Sequence, residues 1–174
     1  MQHADHVDLI RDAVRQGQTW LELGSGAGAF TLALADLLGT GGTIHSVDTD
    51  RAALRVQATA VRAGFGGVRL DQRAADFTRA LGFSGMDGVL MANSLHFVKD
   101  KAPVLALVRS YLAPGGRFVL VEYDTDRGNH WVPHPISYTT WLAVAPAAGF
   151  SGARLLGRVA SRFLNAIYAS AATV

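Results

Sequence analysis

The stretch Leu21-Glu22-Leu23-Gly24-Ser25-Gly26-Ala27-Gly28 constrains this chain more than any other. A strand-like apolar run, Thr19 to Leu23, passes straight into three alternating glycines and then into an apolar helical repeat over about Ala29 to Leu38. Glycine permits the sharp turn and lets a ligand approach the backbone with no Cβ in the way. It does so at a helix N-terminus, which favours a carboxylate or phosphate. The spacing is G-x-G-x-G, so it lacks the third glycine position of the G-x-G-x-x-G dinucleotide fingerprint. Glu22 would also set a carboxylate near a pyrophosphate, which makes NAD a poor fit.

Around this loop, apolar runs alternate between helical and strand-like period, the pattern of repeated strand-helix units and a mainly parallel sheet. A first helix is expected over Asp5 to Gln16, ending at Gly17. Strands follow at Thr19 to Leu23, Thr43 to Val47, Val68 to Gln72, Asp87 to Ala92 and Arg117 to Glu122, giving five strands in five strand-helix units. Asp50 is placed to cap a helix over Arg51 to Ala63, and another helix over about Lys101 to Leu112 leads into the turn triplet Pro114-Gly115-Gly116. Beyond Asp124 to Pro135, which is polar and aromatic, Ser137 to Ala148 is expected as a helix that packs Trp141, Leu142 and Val144 onto the sheet. The last two runs, Ala153 to Ala160 and Phe163 to Ser170, lie too close together for a helical crossover and must pair as an antiparallel hairpin.

The expectation is therefore an α/β fold: a Rossmann-like, mostly parallel seven-stranded sheet flanked by helices, with a C-terminal antiparallel hairpin. The chain's 174 residues suit one domain, read as an N-terminal helix (1–17), a cofactor-binding core (18–123), a candidate substrate lid (124–135) and a C-terminal helix and hairpin (136–174). With 49% hydrophobic residues it can bury a core. Sixteen Lys and Arg against fourteen Asp and Glu leave too small an excess to imply nucleic acid as an obligatory partner. No apolar run reaches the roughly 18 residues of a membrane span, and the first residues do not read as a secretory signal. The absence of cysteine excludes disulfides, thiolate nucleophiles and Cys-ligated metal sites, and points to the cytoplasm without fixing the compartment. His3, Asp5 and His6 read as a polar helix start rather than a metal site, so no metal is assigned. A small-molecule partner is expected, with a monomer or homodimer.

Asp48, at the end of the second strand and twenty residues past Gly28, suits a carboxylate that accepts two ribose hydroxyls. It is preferred to Asp50, which the helix cap already accounts for. Asp76 offers an acceptor for an exocyclic amine, and Phe77 a face for a flat ring. Taken with V-D at Val47-Asp48, A-D-F at Ala75 to Phe77, D-G-V-L-M-A-N-S-L-H-F-V at Asp87 to Val98 and L-A-P-G-G-R-F-V-L-V-E at Leu112 to Glu122, the glycine loop resembles the ordered motifs of class I S-adenosylmethionine-dependent methyltransferases. The likeness covers roughly Thr19 to Glu122. It implies S-adenosylmethionine as cofactor, S-adenosylhomocysteine as product and an EC 2.1.1 type of activity. It further implies that Gly24, Gly26 and Gly28, with Ser25 among them, surround the methionine portion, and that Glu22 supports the loop or the ligand's ammonium. Asp48 would hold the ribose, with Thr49 beside the base, Asp76 and Phe77 at the adenine, and Asn93 near the methionine tail. No motif for a particular acceptor is present, so O, N and C remain open.

Methyl transfer needs the acceptor lone pair in line behind the methyl carbon, and a base only where the acceptor arrives protonated. His96 and Tyr123 are the candidate catalytic residues. His96 follows the fourth strand directly and carries an imidazole, the side chain suited to general-base work; its competing reading is a histidine packed and hydrogen-bonded under the site. His96, Tyr123, Asn129, His130 and Trp131 are the candidate acceptor contacts, the last three on the connection that would close over the substrate. An NAD(P)-dependent oxidoreductase and a non-catalytic methyltransferase-like binding module are the alternatives.

Overall fold

In the computed structural model, residues 1–161 and 163–174 are described, and the strands follow one another in the order the hydrophobic pattern predicts. Helix α1 (His3–Ile10) leads to β1 (Thr19–Leu23), α2 (Ala29–Leu38), β2 (Thr43–Asp48), α3 (Arg51–Gly64), β3 (Arg69–Ala74) and β4 (Met86–Ala92). Then come α4 (Ala102–Tyr111), β5 (Leu112–Tyr123), α5 (Tyr138–Ala147), β6 (Ser151–Ala160) and β7 (Ala166–Thr173). The strands form one seven-stranded sheet in the order β3-β2-β1-β4-β5-β7-β6. β1 to β5 are parallel, and β7 runs antiparallel to both β5 and β6. Strand order reverses between β1 and β4, so the crevice at their carboxyl ends is where an open α/β sheet takes its ligand.

Apolar side chains of α1 and α2 cover one face of the sheet, with Trp20, Leu34 and Ile44 wholly buried. Those of α4 and α5 cover the other, where Phe118 and Trp141 meet edge to face at 5.6 Å. Among the described residues no helix is long and apolar enough to cross a membrane.

Three expectations are corrected. The first helix stops at Ile10 and passes through a short 3-10 turn (Arg11–Ala13), because Val14 must already be extended to bring Gln18 beside β2, where its carbonyl accepts from Thr43 N. No helix fills the third unit: Asp76 turns the chain by accepting from Thr78 N and Oγ1, and Phe83 packs edge-on against Tyr111 in the helix's place. Finally, Pro114-Gly115-Gly116 does not precede β5 but bulges out of it. Pairing jumps from Met86↔Leu112 to Gly88↔Arg117, so β4 advances two residues while β5 advances five.

Candidate active site

The loop between β1 and α2 is fixed from below. Gly24 N and Ser25 N donate to Val47 O at 2.8 and 3.1 Å, and Gly26 N donates to Asp48 Oδ2 at 2.7 Å. Gly24 has a positive φ of 75°, and a Cβ there would stand 2.4 Å from Ser94 Cβ and 3.3 Å from the Phe77 ring. Only glycine lets β1, β4 and the loop after β3 converge so closely. Around Gly26, by contrast, a Cβ would meet nothing within 4 Å, so that side of the loop faces open space.

That space is a cavity of about 440 Å³ lined by Gly24, Gly26, Asp48, Thr49, Asp76 and Phe77, together with Thr78, Asn93, Ser94, Phe97 and Val98. Seven of the ten residues proposed for the cofactor are thus brought to one crevice. The Asp48 carboxylate is oriented by two backbone N–H groups, Gly26 on Oδ2 and Asp50 on Oδ1 at 2.8 Å, while Asp50 caps α3 by accepting from Ala52 N and Ala53 N. The two acids therefore divide the work as their sequence positions imply. Hydrogen bonds from Thr78 hold the Asp76 carboxyl below the usual carboxylate range, which keeps it an acceptor at the rim. Asn93 has a positive φ of 51°, and its Oδ1 is buried with no hydrogen-bond partner among the described residues. A buried carbonyl oxygen left unpaired is costly, and here it belongs to a residue that lines a cavity.

The remaining three lie behind the loop. The Ser25 hydroxyl meets Ser46 Oγ at 2.7 Å in the interior, and Gly28 is packed against Gln57. Glu22 is buried and accepts from Thr31 Oγ1, so it supports the loop from beneath. Burial, aided by the nearby Asp48 charge and opposed by the Thr31 bond, pushes its pKa up to about 8.

A second cavity, about 660 Å³, opens on the other side of Asn93 and is lined by Asn93, Tyr123 and Ile167, by Gln2 and Asp5 of the N-terminal segment, and by the β6–β7 turn including Phe163. Asn93 is common to both cavities. Tyr123 stands at the end of β5, and burial, then the neighbouring Glu122, pushes its phenol pKa up, leaving it a hydroxyl donor rather than a base. His96 lies just beneath, its ring 5.9 Å from that of Tyr123 and 4.3 Å from that of Phe97. Its Nδ1 is 2.9 and 3.0 Å from the two carboxylate oxygens of Glu122, which also accept from His96 N and Tyr123 N. His96 is thus buried and hydrogen-bonded, as its packed reading expects, and it lines neither of the two cavities.

Asn129, His130 and Trp131 line neither cavity. Asn129 Oδ1 accepts from Trp131 N and Val132 N, and Trp131 is 69% exposed. Their connection is pinned down: Lys101 Nζ donates to Val98 O and His134 O, His134 N donates to His96 O, and Asp126 accepts from Ser137 and Thr140. Sequence reasoning placed the N-terminal helix at the acceptor, but missed the role of Glu122, the wall supplied by the β6–β7 turn, and Gln57. For Gln57 a signal existed, because an amide stands between Leu54 and Val61 on the apolar stripe of α3.

A doubly wound sheet with this strand order, a glycine loop at its switch point, an acid ending β2 and a terminal antiparallel hairpin defines the class I S-adenosylmethionine-dependent methyltransferases. The family profile described as "Methyltransferase domain" matches residues 21–118, more than half of the chain, and the chain belongs to that family. In sequence it is 30% identical over 93 residues to a highly reducing polyketide synthase of Emericella nidulans, an alignment that takes in 48% of this chain and 4% of that much longer protein. In structure it is similar to an arsenic(III) S-adenosylmethionine methyltransferase of Chlamydomonas reinhardtii (TM-score 0.70, 22% identity, 92% of this chain and 64% of that one). It is also similar to a 1,6-didemethyltoxoflavin N1-methyltransferase of Burkholderia thailandensis solved with its acceptor and S-adenosylhomocysteine (TM-score 0.76, 21% identity, 98% of this chain and 77% of that one). This chain therefore spans less than two thirds of the first two of these relatives.

Proposed function

We propose that the protein transfers a methyl group from S-adenosylmethionine, by in-line displacement, to a small-molecule O, N or C acceptor held beside Tyr123. The observation that carries this reading is the pair of cavities meeting at Asn93, one framed by the glycine loop and Asp48, the other by Tyr123. The first fits the adenosyl cofactor on the chemistry of its lining, which accepts where the ligand donates: an oriented carboxylate for ribose hydroxyls, an aromatic face with an adjacent acid for adenine, and the Asn93 carboxamide for the ammonium. When bound, S-adenosylmethionine supplies a methyl group activated by its positively charged sulfur.

This chain's own part is placement first. Asn93 and the Gly24–Gly26 backbone set the edge where the two ligands meet, and Tyr123 offers its hydroxyl to the acceptor. Glu122 fixes the His96 ring through Nδ1, leaving Nε2 to receive a proton from an acceptor that arrives protonated. The protein works as a monomer or homodimer in the cytoplasm, without nucleic acid or membrane.

Calorimetric titration with S-adenosylmethionine, S-adenosylhomocysteine and NAD tests the cofactor. Binding of the first two without NAD is the expected result, and binding of NAD alone rejects it. Cofactor binding with no turnover across a broad acceptor screen would instead identify a binding module. Once an acceptor is found, single-turnover rates of His96→Ala should fall by about tenfold or more, and a smaller loss removes the base role.

A further inference from the structure

Beneath the glycine loop runs a buried polar chain that nothing in the catalytic reading uses. Gln57, on the sheet side of α3, is wholly buried, as are Thr31 on α2 and Ser46 on β2. Gln57 Nε2 donates to Thr31 Oγ1 at 2.8 Å, and Thr31 Oγ1 donates onward to Glu22 Oε2. On the other side, Gln57 Oε1 accepts from Ser46 Oγ at 2.8 Å and from Gln72 Nε2 at 2.6 Å, and Ser46 Oγ meets the Ser25 hydroxyl at 2.7 Å. The methylenes of Gln57 also press on the loop's last glycine: a Cβ on Gly28 would stand 2.6 Å from Gln57 Cγ.

One carboxamide therefore reaches both ends of the loop, Ser25 near its start through Ser46, and Gly28 and the first turn of α2 at its finish. An apolar side chain at this position would pack α3 on the sheet without having to satisfy buried polar groups. The groups that Gln57 joins belong to β2, β3 and α2 and, through Thr31, to β1, and they brace from beneath a loop whose backbone N–H groups are held by Val47 O and Asp48.

We propose that Gln57 is the positioning residue of the cofactor loop, holding Gly24 to Gly28 in the form that accepts the adenosyl ligand. This rests on the methyltransferase reading above. Gln57 touches no cofactor-cavity wall itself; it acts through Ser25, Gly28 and Thr31.

The test is the dissociation constant of S-adenosylhomocysteine, measured by calorimetry beside the melting temperature, for wild type, Gln57→Met, Thr31→Val, Ser46→Ala and Gln57→Met/Thr31→Val. Gln57→Met should weaken binding about fivefold or more in protein that circular dichroism shows to be folded. Adding Thr31→Val to it should cost less than Thr31→Val costs alone, because the Gln57–Thr31 bond is already cut and only the Thr31–Glu22 bond remains to be lost. A lowered melting temperature with binding weakened less than about fivefold would mean that Gln57 only stabilises the fold, and would overturn the proposal. Fully additive effects of the two substitutions would overturn it as well. Should Gln57→Met not fold, Ser46→Ala removes a single hydroxyl and carries the same criterion. If wild type binds neither S-adenosylmethionine nor S-adenosylhomocysteine, the methyltransferase reading falls. If wild type binds and the variants match it, the role of Gln57 alone falls.

Discussion

Glu22 is surrounded by protein, and its pKa is raised from an ordinary 4.5 to about 8, chiefly by burial. Below the lower value the folded and unfolded chains are both protonated there, and the group's contribution to stability is complete. Between the two values the unfolded chain releases a proton that the folded chain keeps, so stability is lost as pH rises through about 8. The loss amounts to a few kcal/mol, at about 1.4 kcal/mol for each tenfold difference in proton affinity between the folded and unfolded chains. Melting temperatures taken from about pH 5 to 9 should therefore fall less steeply in Glu22→Gln than in wild type; parallel curves would show that Glu22 does not titrate in this window. Asp48 carries a different expectation. Asp48→Ala should cost about 1 to 3 kcal/mol of S-adenosylhomocysteine affinity, read by calorimetry, because ribose hydroxyls lose their acceptor. Both acids were legible from position alone, one inside the glycine motif and the other ending a strand. Glu122 was not, because its role comes from His96, a residue 26 positions away that only the packing of β4 against β5 brings within hydrogen-bond reach.

The glycine loop shows how one motif holds unlike requirements. Gly24→Ala would drive a Cβ to 2.4 Å from Ser94 at a positive φ, and should lower the melting temperature sharply, by an amount corresponding to a few kcal/mol. Gly26→Ala meets only backbone strain, about 1 kcal/mol, yet places a methyl on the open side of the loop; it should spare the fold and weaken S-adenosylhomocysteine binding. Equal losses of stability in the two variants would contradict this division. The spacing G-x-G-x-G announces a ligand loop but cannot say which glycine is pressed by a neighbour, since Ser94 lies some seventy residues further along the chain. Helix α5 is a similar case. Trp141 is wholly buried and its Nε1 donates to Ser170 Oγ, whereas Leu142 is 39% exposed. Trp141→Ala should cost about 3 to 5 kcal/mol in denaturant unfolding, and Leu142→Ala well under half of that.

At the scale of the molecule, the last strand of the chain is not the last strand of the sheet. β7 enters between β5 and β6, and six of its eight residues are buried, while β6 closes the edge with Arg154 and Arg158 along it. The composition fits that exchange: A-I-Y-A-S-A-A-T is small and apolar, as an inner strand requires, and arginines discourage pairing at an open edge. Removing Ala166 to Val174 should therefore expose β5 and abolish cooperative unfolding by circular dichroism; a truncated chain that still melted in one transition would mean that β1 to β5 suffice. The sequence alone determined the class of fold, the cofactor loop and the acids around it, because glycine spacing, helix caps and strand periodicity are local and each is written within a few neighbouring residues. Only the tertiary structure decided that His96 is braced by Glu122, that Gln57 underlies the loop, and that the β6–β7 turn rather than Asn129 to Trp131 joins the N-terminal segment in walling the second cavity. Those arrangements are contacts between residues remote in the chain, whose partners are chosen by how the sheet and its helices pack and not by any local pattern.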